Sequence, residues 1–91
     1  MIAERLEAYR QSENARKRIR RLLAVRRLSI AWLARQIGAN YYTLHSKLSG
    51  YHPLRQHEIE AIAAVLQVDY DDLVAPFDET KDEQDIPVTV R

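Results

Sequence analysis

Residues 29–50 read SIAWLARQIGANYYTLHSKLSG. Ser29 can N-cap a helix, its hydroxyl accepting from a backbone N–H that otherwise has no partner. Leu33, Ala34 and Ile37 then recur at the i, i+1, i+4 spacing of one buried face. Gly38 follows, the residue type that enters the left-handed conformation without a Cβ penalty and ends a helix. Asn40 is a second N-cap, and Leu44 and Leu48, four apart, give the next helix an apolar edge. A helix, a glycine turn and a second helix within about twenty residues make a helix-turn-helix.

The flanks fit a small helical bundle around that pair. Asn14 to Leu28 reads as a helix with Ala15, Ile19, Leu22 and Leu23 on its inner face. Its outer face carries Arg16, Lys17, Arg18, Arg20, Arg21, Arg26 and Arg27. Arg55 to Leu66 is a further helix with Ile59, Ile62, Ala63 and Leu66 inward. Asp69 to Leu73 is a short last helix, capped by Asp69 and closed by Tyr70 and Leu73, and Pro76 ends it.

Both chain ends raise questions. Ile2, Leu6 and Tyr9 form an apolar stripe at helical spacing, offset by more than a quarter turn from the stripe that starts at Ala15. Either the helix breaks near Ser12, which can cap a new start, or one long helix carries two faces. The first stripe then packs on its own domain or makes a dimer contact. At the other end DETKDEQD, residues 78–85, is charged and without apolar residues, a solvated linker. Ile86, Val88 and Val90 then alternate with other residues at the period of a strand. Such a strand could pair with that of a second copy, with Pro87, which lacks an N–H, on the unpaired side.

Ninety-one residues suffice for one domain with a modest core. The expected architecture is all-α: a compact four- to five-helix bundle over residues 13–77, a helical extension over 1–12, and a linker and tail over 78–91. No cysteine is present, which removes disulfides and thiolate metal sites. No signal peptide and no apolar run near 18 residues is found, so a soluble cytoplasmic protein is expected. The net charge of +1 hides a strong polarity. Met1 to His57 holds twelve Lys/Arg against three Glu, a net +9; Glu58 to Arg91 holds two against ten acidic residues, a net −8. One half is suited to a polyanion, unless the two halves only complement each other as solvated faces.

The stretch from Asn14 to Leu73 resembles the phage-repressor/Cro (XRE-type) helix-turn-helix regulators, which have the lambda-repressor-like fold. The landmarks are Leu28-Ser29, Leu33-Ala34, Gly38, Leu44, Ser49-Gly50 and IAAVLQVDYDDL. Ala34 stands where the family keeps a small residue so that the helices cross closely, and Leu44 is the apolar pin of the recognition helix. Two residues depart from the pattern. Ile30 replaces a glutamine that usually touches phosphate, and Lys47 stands where an apolar residue is common, leaving that packing to Leu48. The Ser49–Pro53 loop is one residue longer than the commonest family loop.

The resemblance implies a sequence-specific regulator of transcription, Cro-like or immunity-repressor-like, bound as a homodimer to a double-stranded DNA operator. Its recognition helix, residues 40–49, would lie in the major groove with Tyr41, Tyr42, His45 and Ser46 against base edges. Ser29, Arg35, Asn40, Lys47, Ser49, Tyr51, His52 and Arg55 are the residues expected at phosphate, although Tyr51 and His52 could instead sit on an uninvolved loop. Ile86, Val88 and Val90, or Ile2, Leu6 and Tyr9, would form the dimer contact. The alternatives are an antitoxin-like or adaptor domain that binds protein, and a DNA-bending excision-type factor. No cofactor, metal or small-molecule ligand is expected: His45, His52 and His57 lack carboxylate or cysteine companions at ligand spacing. With no phosphate-cradling glycine loop or nucleophile elbow, nothing points to an enzyme.

Overall fold

The computed structural model describes residues 2–77. Helices α1 (Ile2–Arg26), α2 (Ile30–Ile37), α3 (Tyr41–Leu48), α4 (Gln56–Leu66) and α5 (Tyr70–Val74) follow one another, with no strand among the described residues. The all-α bundle expected from the sequence is the fold observed. The charged linker and the expected strand at Ile86, Val88 and Val90 lie outside the described residues.

Of the two possibilities at Ser12, the single long helix is the one formed. Neither glycine nor proline precedes Gly38, so nothing interrupts the i→i−4 hydrogen bonds of α1. Ser12 caps no helix. It is buried, and its Oγ accepts from the Leu54 N–H 2.8 Å away, tying the middle of α1 to the segment that leads into α4. The two apolar stripes part as their offset requires. Ala15, Ile19 and Leu23 are buried, while Leu6 and Tyr9 remain 50% and 60% exposed. The side chain of Ile2 lies outside the described residues.

Leu33 and Ala34 of α2, Leu44 and Leu48 of α3, Ile59 and Ile62 of α4 and Leu73 of α5 close over the inner face of α1. Burying one such large aliphatic side chain contributes roughly 1.5–3 kcal/mol. Helices as short as α2 and α3 are not stable alone, so this shared core fixes their crossing.

Four helices end in the same way. The second residue past the last turn donates back across it: Leu28 to the Leu23 carbonyl at 2.8 Å, Ala39 to Ala34 at 2.9 Å, Tyr51 to Ser46 and Val68 to Ala63 each at 3.0 Å. The motif needs one left-handed residue. Gly38 and Gly50 supply it at φ 69° and 94°, but Arg27 and Gln67 supply it elsewhere, both at φ 58°. At the start of α4 the Arg55 N–H donates to Glu58 Oε1 at 2.8 Å. Asp69 occupies the N-cap of α5 as expected, yet its side chain makes no capping hydrogen bond.

Several α1 side chains hold the other helix ends. Asn14 Nδ2 donates to the Val74 carbonyl at 3.1 Å, and Asn14 Oδ1 accepts from the Phe77 N–H at 3.3 Å. Arg18 donates to the carbonyls of Asp72, Ala75 and Pro76 and lies over the Phe77 ring. Arg26 donates to the Leu66 carbonyl at 2.6 Å, at the C-terminal end of α4.

Candidate nucleic-acid interface

Helices α2 and α3 each begin at a side-chain cap. Ser29 Oγ accepts from the Trp32 N–H at 2.9 Å. Asn40 Oδ1 accepts from the Tyr42 and Thr43 N–H groups at 2.9 and 3.1 Å, leaving its NH2 group as a donor. Neither first turn contains an acidic residue, so both helices present positive dipole ends. Leu44 and Leu48, 3% and 0% exposed, pin α3 and thereby decide which of its residues face outward.

The outward face is aromatic. Tyr42 is 78% and Tyr41 41% exposed, and His45 is exposed beside them. The two tyrosine rings meet edge to face with centroids 5.1 Å apart, and Tyr41 lies 5.7 Å from the His45 ring. Tyr41 is therefore the middle ring of a preformed cluster. Ser46 is half-buried, and its carbonyl takes the Tyr51 N–H. Thr43 is exposed next to Tyr42 and went unmarked in the sequence. A helical wheel centred on Leu44 and Leu48 turns Thr43 further from the core than Tyr41, and that was the available signal.

The residues expected at phosphate are spread over α2, both ends of α3 and the segment that follows it. Ser29 and Asn40 stand exposed at the helix starts, and Arg35 is exposed on α2. Beyond the other end Tyr51, His52 and Arg55 are exposed, whereas Ser49, the C-cap of α3, is half-buried. Lys47 differs from the rest. It is half-buried, and its Nζ is paired with Glu58 Oε2. Burial pushes the Glu58 carboxyl up, but the hydrogen bonds from Lys47 and the Arg55 N–H, with the charges of Lys47 and His57, outweigh it and hold it below its ordinary value. Glu58 thus joins α3 to the start of α4, a role that sequence reasoning did not see because the partners sit eleven residues apart on different helices.

The basic outer face of α1 is partly committed. Arg16 forms a two-pronged ion pair with Glu13, at 2.8 and 2.9 Å. That hydrogen bond, aided by the charges of Arg16 and Lys17, holds the Glu13 carboxyl low against the opposing push of burial. Lys17, Arg20 and Arg27 stand exposed. Among the described residues no cluster of His, Asp or Glu could hold a metal ion, and no helix is long and apolar enough to cross a membrane. A family model described as the Cro/C1-type HTH DNA-binding domain matches residues 18–79. No curated protein and no solved structure matches the chain.

Proposed function

The chain belongs to the Cro/C1-type helix-turn-helix DNA-binding family, and from that premise we propose that it is a sequence-specific regulator of transcription, Cro-like or immunity-repressor-like, acting on a double-stranded operator in the cytoplasm. Helix α3 enters the major groove, where Tyr42, His45, Tyr41 and Ser46 meet base edges. The observation that carries this reading is the exposed Tyr41–Tyr42–His45 cluster on α3, flanked at both helix ends by donors and cations. A tyrosine offers a hydroxyl to a base edge or phosphate and a ring to a thymine methyl, and histidine donates or accepts according to tautomer. Arg35, Asn40, Ser29, Tyr51, His52 and Arg55 hold the strands on either side, with Ser49 behind them. Lys47 reaches phosphate only by leaving Glu58. The absence of any acid between Arg35 and Arg55 favours DNA over a protein partner on this face.

The active species is a homodimer, since two-fold symmetry lets two recognition helices read half-sites about 34–36 Å apart. Two contacts compete for that role. Leu6 and Tyr9 are exposed on one, and Ile86, Val88 and Val90 belong to the other. Deleting residues 86–91 and measuring mass by light scattering separates them: a monomer assigns the contact to the tail, and a persistent dimer at micromolar concentration assigns it to the start of α1.

Selection of bound fragments from random DNA, followed by sequencing, tests the main reading. Enrichment of one motif is expected. Tyr42→Ala and His45→Ala should each lose about 1–3 kcal/mol of discrimination between that motif and random DNA. Intact folding with unchanged discrimination in both variants would mean that another face reads the bases.

A further inference from the structure

The first turns of α1 are exposed from Arg5 to Arg10 and pack on nothing in the core. They nevertheless form one wall of a groove of about 960 Å³. Arg5 and Tyr9 line it from α1, Tyr42 and Ser46 from α3, and His52 and Arg55 from the segment between α3 and α4. No aspartate or glutamate lines it among the described residues. Lys47 also borders it, held by Glu58 on the far side. The groove is therefore basic, lined in part by Tyr9, Tyr42 and Tyr70, and continuous with the face of α3 proposed to read bases.

We infer that this groove holds the sugar-phosphate strand bordering the major groove that α3 enters, so that the N-terminal turns of α1 act as a second jaw on the DNA backbone. The inference rests on the proposed function and assigns a new role to Arg5 and Tyr9. Each strand carries one charge per about 3.4 Å of helix axis. Arg5 and Tyr9 are one helical turn apart, about 6 Å along α1, close to two such steps, so both can meet one strand. Arg55 opposes Arg5 from the other wall, with His52 beside it as a further polar group, so a cation meets the strand from each side. The Tyr9 hydroxyl donates to a phosphate oxygen without a charge of its own. A second copy of the chain suits the groove less well. Its own copy of this groove would bring like charges together in a two-fold contact. Leu6, the most apolar exposed residue nearby, does not line the groove.

The test uses the full chain and a duplex carrying the selected motif, with affinity read by fluorescence anisotropy over a salt series. Arg5→Ala should weaken binding several-fold at moderate salt and lower the slope of log K against log salt by about one unit. Discrimination between the motif and random DNA should stay unchanged, because backbone contacts carry no sequence. Tyr9→Phe, which removes one hydroxyl, should weaken binding without changing the slope. Lys17→Ala, exposed on the same helix outside the groove, should have the smaller effect. Arg5 is exposed, so these variants fold, and circular dichroism checks it. An unchanged slope in Arg5→Ala, with the wild-type protein still binding its motif, overturns the jaw and leaves the proposed function standing. Failure of the wild-type protein to bind any DNA sinks that function instead. If Arg5→Ala alters the mass seen by light scattering, the occupant is a second copy. If deleting residues 78–91 tightens DNA binding in the wild type and not in Arg5→Ala, the occupant is the acidic tail. Either of these results overturns the inference.

Discussion

The Ser12 hydroxyl lies in the middle of a long helix, buried, with its acceptor turned to a backbone N–H 42 residues further along the chain. Removing it leaves the Leu54 N–H buried and unsatisfied, which costs about 1–3 kcal/mol. Ser12→Ala should therefore lower the urea midpoint without changing the slope of the unfolding curve; an unaltered midpoint would show that the loop finds another partner. From the sequence Ser12 could equally be a helix start or a residue inside one long helix, because serine at a stripe boundary resembles a cap and the distant partner leaves no periodic trace. The left-handed positions divide in a similar way. Gly38 and Gly50 are legible because glycine is the residue that conformation favours. Arg27 and Gln67 adopt it under the demand of packing, and nothing in their chemistry announces it. A non-glycine residue there is strained by roughly 1 kcal/mol. Gln67→Gly should gain up to about that much, less the added entropy of the unfolded chain. A small rise in the thermal midpoint, of at most about 3 °C, is expected. A fall would mean that the side chain of Gln67 stabilises more than its backbone costs.

At the scale of elements, the helix-turn-helix was readable from its caps and its apolar pins, and both caps carry the hydrogen bonds that their residue types imply. The attachment of α3 to α4 was not readable, since it depends on Glu58 reaching Lys47 and the Arg55 N–H together. That carboxyl titrates below its ordinary value in the folded protein. A lowered carboxylate stabilises the fold above the unfolded pKa, about 4.3, and that contribution disappears as pH falls through the folded value. The wild type should therefore lose stability on acidification below about pH 4.3, and Glu58→Gln should lose less over the same range. Glutamine keeps an acceptor for the Arg55 N–H and removes only the ion pair. At neutral pH the variant should be less stable by up to about 1 kcal/mol, as for a partly exposed pair. It also releases Lys47 on α3, so DNA binding should become more salt-dependent. Superimposable stability-against-pH curves for the two proteins would show the pair to be idle.

For the whole molecule, the sequence records a polarity of +9 against −8 but not how the cations are spent. Part of the basic charge works inward. Arg18 and Arg26 satisfy carbonyls at the ends of α5 and α4, where cations also favour the helix dipole. Arg16 is paired with Glu13, and Lys47 with Glu58. The count of phosphates neutralised should accordingly fall well below the count of basic residues. About six contacts per dimer give a slope of log K against log salt near −5. Two arginines then provide opposite signatures. Arg35 is exposed on α2 and is proposed to meet phosphate, so Arg35→Ala should reduce the slope by about one unit and leave stability within about 0.5 kcal/mol. Arg18 donates to several carbonyls of the 72–76 segment, some of them part-buried, so Arg18→Ala should destabilise the fold by about 1 kcal/mol. Where the variant stays folded, its salt slope should match that of the wild type. Urea unfolding and salt-dependent anisotropy on the same samples measure both quantities. A lowered slope in Arg18→Ala would mean that the middle of α1, and not only its first turns, reaches DNA; a preserved one in Arg35→Ala would remove Arg35 from the interface.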